Sequence, residues 1–187
     1  GQLVRNLIRA MKRAKKENPR ADLSDYYRKI ADVYKKSEGK LPVLEKLLKD
    51  TSILNRCIIF GPEKKYNSKI TRMLTESRVR WTPYYGETDN TQLELYRRGK
   101  VDVLLTCKAV SEGMDLDVSN IILLSSDRTR LVNIQRIGRA LRTHGDMEKV
   151  ARVFDFIRDN SDDSADTKRR DWLDELSALG LESRSSD

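Results

Sequence analysis

Residues 56–77 read RCIIFGPEKKYNSKITRMLTES. A short β-branched, apolar run, RCIIF, stops at Gly61-Pro62 and gives way to KKYNSKITRMLTES, which has helical character. An apolar run this short, bounded by turn residues, suits a buried strand. The alternation continues downstream. WTPYYG (81–86) reads as a strand weakened by Pro83, because proline lacks the N–H a sheet needs. DNTQLELYRRG (89–99) reads as a helix with a glycine stop, and DVLLT (102–106) and NIILLS (120–125) as strands. A helix over 130–142, a strand in VARVFDFI (150–157) and an amphipathic helix over 165–179 complete the series. Strands alternating with helices of this length predict βαβ units, and so an α/β fold with a parallel sheet flanked by helices.

The first forty residues follow a different pattern. Leu3, Leu7, Ile8 and Met11 recur at helical spacing over residues 2–17, with basic residues between them. ENPRADLS (17–24) breaks that helix, and Asp22 or Ser24 can cap the next, roughly 23–36. EGK (38–40) ends it, and LPVLEKLLKD opens another with Pro42 in the tolerated first turn. The expected organisation is a basic helical extension or linker over 1–39, the sheet domain over 40–160, and a C-terminal helix and tail over 161–187.

The chain has 187 residues and a formal charge of +8, unevenly placed. Residues 1–40 hold 12 Lys/Arg against 5 Asp/Glu, whereas residues 158–187 hold 5 against 9. A basic segment points to polyanions or to a solvated helix face. No apolar run reaches the roughly 18 residues of a membrane span. A secretory signal is not expected, since GQLVRNLIRAMKRAKK lacks an uninterrupted apolar stretch, although composition alone leaves an organelle transit peptide open. Two cysteines, Cys57 and Cys107, read as reduced thiols. With one histidine, they make no metal constellation. An intracellular setting, cytoplasmic or nuclear, is expected.

In parallel sheets ligands gather beyond the carboxyl ends of strands, which directs attention to residues 61–65, 86–89, 108–116 and 125–130. TCKAVSEGMDLDVSNIILL (106–124) places Glu112, Gly113 and Asp115 just past a strand end. The carboxylates could bind ribose hydroxyls or a metal-bound water, and Asp and Gly also form ordinary turns. Further on, VNIQRIGRALRTH (132–144) carries Gln135, Arg139 and Arg142 at i, i+4 and i+7, on one side of a helix. Gly138 costs such a helix roughly 1 kcal/mol relative to alanine and lets a backbone or ligand come close. Arginine's planar fork matches phosphate oxygens.

Taken in order, strand, T-x₅-EGxD, strand, then QRxGRxxR on a helix, the chain resembles motifs V and VI of superfamily 2 helicases, in their second RecA-like domain. TCKAVSEGMDLD and NIQRIGRALR look most like the XPB-like branch of DNA helicases and translocases. RCIIFGPE resembles motif IV, and the resemblance extends from about Lys40 to Ile157. It implies a RecA-like parallel sheet in which Arg142 is the arginine finger, Arg139 its partner on the phosphates, and Gln135 the contact to the γ-phosphate or attacking water. Gly113 and Asp115, with Glu112 beside them, would approach the nucleotide ribose. Thr106, Gly61 and Gly86 match positions that hold the nucleic-acid phosphate backbone, and Lys64, with Lys65, could join them. His144 reads as a loop residue, and Trp81 and Trp172 as packing anchors.

Neither a G-x-x-x-x-G-K-[ST] loop nor an acidic DEAD or DExH-like box occurs in these 187 residues. The implied cofactors, ATP and Mg²⁺, would be held mainly by a first RecA-like domain of the same parent protein. The expected partners are that domain and nucleic acid, DNA before RNA. The expectation is therefore the C-terminal motor domain of an ATP-dependent helicase or translocase, inactive as an ATPase alone. The alternative is a non-catalytic nucleic-acid or protein-binding module that retains the fold.

Overall fold

The computed structural model describes residues 1–85, 90–107, 116–125, 152–157 and 164–182. Five strands form one sheet: β1 (Cys57–Phe60), β2 (Trp81–Tyr84), β3 (Val103–Thr106), β4 (Asn120–Leu123) and β5 (Arg152–Asp155). Their spatial order is β2-β3-β1-β4-β5, and every pairing is parallel. Phe60 lies level with Thr106 on one side and Leu123 on the other, and these in turn with Tyr84 and Asp155. The carboxyl ends of all five strands are thus flush along one edge. Pro83 is exposed in β2, an edge strand with a single neighbour, where a missing N–H need cost no ladder bond.

β1 is buried along its whole length, and its side chains divide between two cores. Ile58 and Phe60 join Tyr84, Leu104, Ile121 and Leu123 on one face, covered by Leu93 and Tyr96 of α6 (Thr91–Arg97) and by Trp172 of α7 (Ser164–Glu182). Cys57 and Ile59 join Val103, Leu105 and Ile122 on the other face. That face is covered by α3 (Leu41–Leu47), α4 (Thr51–Leu54) and α5 (Lys64–Glu76), through Leu44, Ile53, Tyr66, Ile70 and Leu74. Trp81 packs partly buried on this second core, so both tryptophans are packing anchors. The glycine stop of α6 is Gly99, with φ at +68° and its N–H donated to the Tyr96 carbonyl at 3.0 Å. That left-handed conformation is open to glycine at little cost.

The remaining elements attach to this frame. α1 (Gln2–Glu17) packs on α2 (Ser24–Lys35), burying Val4 and Ile30. Residues 36–40 then reach the sheet. Lys36 Nζ pairs with Glu63 at 2.9 Å, Lys69 pairs with Glu38, Tyr66 donates its hydroxyl to the Ser37 carbonyl at 2.9 Å, and Lys40 Nζ donates to the Leu124 carbonyl at 2.6 Å. At the far end of the chain, Arg169 of α7 meets Asp155 of β5 at 2.8 Å, with side chains only 11% and 3% exposed. The C-terminal helix is therefore part of the same core as the sheet. The helix expected over 130–142 lies outside the described residues.

The amino edge of the sheet is closed by side-chain hydrogen bonds. Asn120 Nδ2 donates to the carbonyls of Asn55 (2.7 Å) and Ser52 (3.3 Å), while its Oδ1 accepts from Arg152 Nε (2.9 Å). Arg152 Nη2 also donates to the Ser52 carbonyl at 2.8 Å. Asn120 is buried, so removing its amide leaves buried polar groups unpaired. Asn120→Ala is expected to destabilise the fold by about 1–3 kcal/mol, seen as a lower urea midpoint with an unchanged slope. An unchanged midpoint would show that the clamp contributes nothing.

Candidate nucleotide and nucleic-acid interface

The parallel register brings distant parts of the sequence to one edge. Gly61, Tyr85, Cys107 and Leu124 each follow directly on a strand's last residue. β3 and β4 flank β1, so the chain leaves them on either side of Gly61. The strand order reverses at β1: the chain runs outward to β2 and β3, then crosses to β4. Such a switch point is where open α/β sheets bind ligands.

Three of the candidate site residues stand at this edge. Thr106 is the last residue of β3, fully buried, and its carbonyl accepts the N–H of Gly61 at 2.7 Å. Gly61 closes β1 against β3 through that bond. Lys64 opens α5, exposed, with its Nζ 5.3 Å from the ring centre of Tyr85. Lys65 beside it is exposed too. Two lysines in the first turn add positive charge to a helix end that already carries a partial positive dipole. At the end of β4, the N–H groups of Leu124 and Ser125 both donate to the Phe60 carbonyl at 3.0 Å, and Lys40 holds the Leu124 carbonyl. Gly86, Glu112, Gly113, Asp115, Gln135, Arg139, Arg142 and His144 lie outside the described residues.

Asn67 is a residue that the sequence reading missed. It is 0% exposed, and neither its Oδ1 nor its Nδ2 has a hydrogen-bond partner. A Cβ built on Gly61 would sit 1.8 Å from Asn67 Oδ1. The glycine at the end of β1 therefore makes room for the asparagine of α5. A signal existed in the sequence: Asn67 precedes Ile70 by three and Leu74 by seven, which places a polar residue on the apolar face of that helix.

Among the described residues, two titratable groups on the strand β1 and helix α5 are shifted by burial. Burial, with Glu38 nearby, pushes the Tyr66 phenol up to about 12, so it stays protonated and serves as the donor to Ser37. Burial likewise raises the Cys57 thiol, and both Cys57 and Cys107 are free. Among the described residues no group of three His, Cys, Asp or Glu could hold a metal ion, and no helix is long and apolar enough to cross a membrane.

Residues 39–144, more than half of the chain, match the family model of the helicase conserved C-terminal domain. The chain belongs to this family. It is 28% identical over 120 residues to the putative ATP-dependent helicase IRC3 of Saccharomyces cerevisiae, and 26% identical over 150 residues to the UvrABC system protein B of Tropheryma whipplei. These alignments take in 60% and 74% of the chain but only 16% and 22% of the relatives. Among solved structures, the C-terminal part of the Fun30 ATPase domain superposes with a TM-score of 0.54 at 21% identity, covering 65% of this chain and 42% of that one. The C-terminal domain of the DEAD-box protein Dbp5 gives 0.54 at 22% identity, over 67% and 73%. These likenesses establish the fold, a RecA-like parallel sheet flanked by helices. They extend beyond the XPB-like branch and do not single it out.

In this helicase C-terminal domain the Gly61–Asn67 contact can be tested by itself. Gly61→Ala is expected to overpack the β1–α5 junction and cost about 1–3 kcal/mol. Asn67→Ala removes a buried amide that bonds to nothing, so it should cost far less than the loss of a bonded one. The double variant should recover most of the Gly61→Ala loss. Chemical denaturation of the four proteins measures the coupling, and simple additivity would refute the steric account.

Proposed function

We propose that the chain is the second motor domain of an ATP-dependent superfamily 2 helicase or translocase. The observation that carries this reading is the family match over residues 39–144, which spans both EGMD (112–115) and QRIGRALR (135–142). The parent protein would supply the first RecA-like domain, with the phosphate-cradling loop and the acidic residues for Mg²⁺. ATP bound between the two domains supplies a γ-phosphoryl group whose transfer to water drives the cycle.

The residues of this chain then act on that group. Arg142 places its guanidinium on the γ-phosphoryl oxygens and stabilises charge as it develops, a contribution worth roughly 10³–10⁵ in rate in other NTPases. Arg139 shares the phosphates, and Gln135 orients the attacking water or touches the γ-phosphate. Glu112, Gly113 and Asp115 would approach the ribose. Lys64 and Gly86 would meet the nucleic-acid backbone, where contacts position the strand without reading sequence, while Thr106 and Gly61, both buried, would shape the edge beside them. Since Gly61 already donates its N–H to Thr106, the positive start of α5 at Lys64 is the stronger of these contacts. The form of TCKAVSEGMDLD and NIQRIGRALR supports DNA as the preferred track. Cleft closure and opening would move the domain along it.

Arg142→Ala in the full-length parent is expected to lower nucleic-acid-stimulated ATP turnover about 10³-fold or more, with nucleic-acid binding retained. Arg139→Ala should also be strongly impaired. DNA should stimulate turnover more than RNA of the same sequence, and the 187-residue chain alone should show no magnesium-dependent hydrolysis. Undiminished turnover in the Arg139→Ala, Arg142→Ala double variant would sink the finger assignment and favour a binding module.

A further inference from the structure

The surface of α1 differs from those of α2, α5 and α6 in how its charge is treated. On those three helices and their ends, apart from Lys64 and Lys65 at the start of α5, most basic residues are matched to carboxylates close by: Arg28 and Lys29 to Asp25, Lys36 to Asp32 and Glu63, Lys69 to Glu38, Arg72 to Glu76, Arg97 and Arg98 to Glu94. The last carboxylate is drawn down to about 2 by hydrogen bonds from its two arginines. On α1, Arg5, Arg9, Lys12, Arg13 and Lys16 are all exposed. Among the described residues no carboxylate pairs with any of the five. Glu17, the last residue, is the one acid in the helix.

At 100° per residue these five fall within an arc of about 100° opposite Val4, Leu7 and Met11. The stripe from Arg5 to Lys16 is about 17 Å long. Five like charges on one helix repel one another, a cost that a nearby polyanion reverses. The stripe contains no aromatic residue, so it offers no platform for stacking the bases of a single strand. It also makes a poor membrane helix, because the apolar side that would enter a bilayer rests on α2, burying Val4. What remains is a rigid row of charges suited to a stiff polyphosphate surface. Duplex DNA presents one charge per roughly 1.7 Å of axis.

We infer that the α1 stripe is a sequence-independent clamp on double-helical nucleic acid, separate from the strand-end contact at Lys64. The inference rests on the helicase reading in taking nucleic acid as the partner. The five charges act collectively, through counterion release, so no single side chain has to meet a phosphate in a fixed geometry.

The test uses the 187-residue chain and a short labelled duplex of random sequence, with fluorescence anisotropy measured across a salt series. Arg5, Arg9, Lys12, Arg13 and Lys16 are changed together to Gln, a substitution that keeps helix propensity. A control protein carries Gln at Arg28, Lys29, Arg72, Arg97 and Arg98, which changes net charge equally. The stripe variant should lose at least about tenfold in duplex affinity and about 2–4 units of salt slope. The control should lose much less, single strands should be less affected than the duplex, and circular dichroism should show both proteins folded. Equal losses in the two variants, or a stripe variant that binds the duplex as the parent does, would overturn the clamp and leave the helicase reading standing. The clamp would also fall if the stripe variant lost binding only to anionic phospholipid vesicles. Failure of the unmodified chain to bind any nucleic acid would count against the helicase reading itself, and the clamp with it.

Discussion

The central strand imposes the condition from which the architecture follows. β1 pairs with β3 on one side and β4 on the other, and every one of its residues is buried, so neither its edges nor its faces meet solvent. A strand so placed needs apolar cover above and below, because its side chains alternate between faces. Ile58 and Phe60 require one layer of helix, and Cys57 and Ile59 require another. The chain meets this by sending α5 to one face and α6 to the other, on either side of β2 in sequence. Parallel strands cannot be linked by tight turns, so these crossovers are obligatory. Flush carboxyl ends are a by-product of that arrangement, and they bring the points where the chain leaves the strands to one edge.

This also explains which parts of the fold can be read from the chain. CIIF is an uninterrupted apolar run, and VLLT is apolar up to its last residue, because both faces of each strand are covered, and the run length marks them as strands. Pro83 weakens the reading of β2 by its chemistry, and the edge position removes the conflict. The boundaries of α1, α2, α5 and α7 fall within a few residues of their apolar periodicity, but the cap expected of Asp22 or Ser24 is not formed: Leu23 is the N-cap of α2, with no side-chain cap bond, and Asp22 binds Ser24 instead. What the periodicity does not carry is the strand order, since pairing between β3, β1 and β4 depends on contacts far apart in sequence.

The candidate site divides in the same way. Motif spacing names the residues, but spacing says nothing of what a buried glycine is for. Gly61 reads as a place where backbone could meet phosphate. Its N–H is instead taken by Thr106, and its missing side chain is explained by Asn67. Gly61 has no left-handed backbone to account for, unlike Gly99. Only a pairwise clash between residues six apart, across a strand–helix junction, reveals the cause.

The two edges of the sheet are built for different ends. At the amino edge Asn120, Arg152 and the carbonyls of Ser52 and Asn55 satisfy one another, and Arg56 adds a bond to the Tyr96 carbonyl at 2.7 Å. Polar groups there hold the strands together. At the carboxyl edge one residue departs from this: Asn67 is buried with both polar atoms unmatched, next to the residue that ends the central strand's ladder. A buried amide with no partner costs stability and calls for an explanation beyond folding. The hydrogen-bonded amino edge offsets such a cost, because it ties together the same strands whose carboxyl ends carry Thr106 and lead to Lys64.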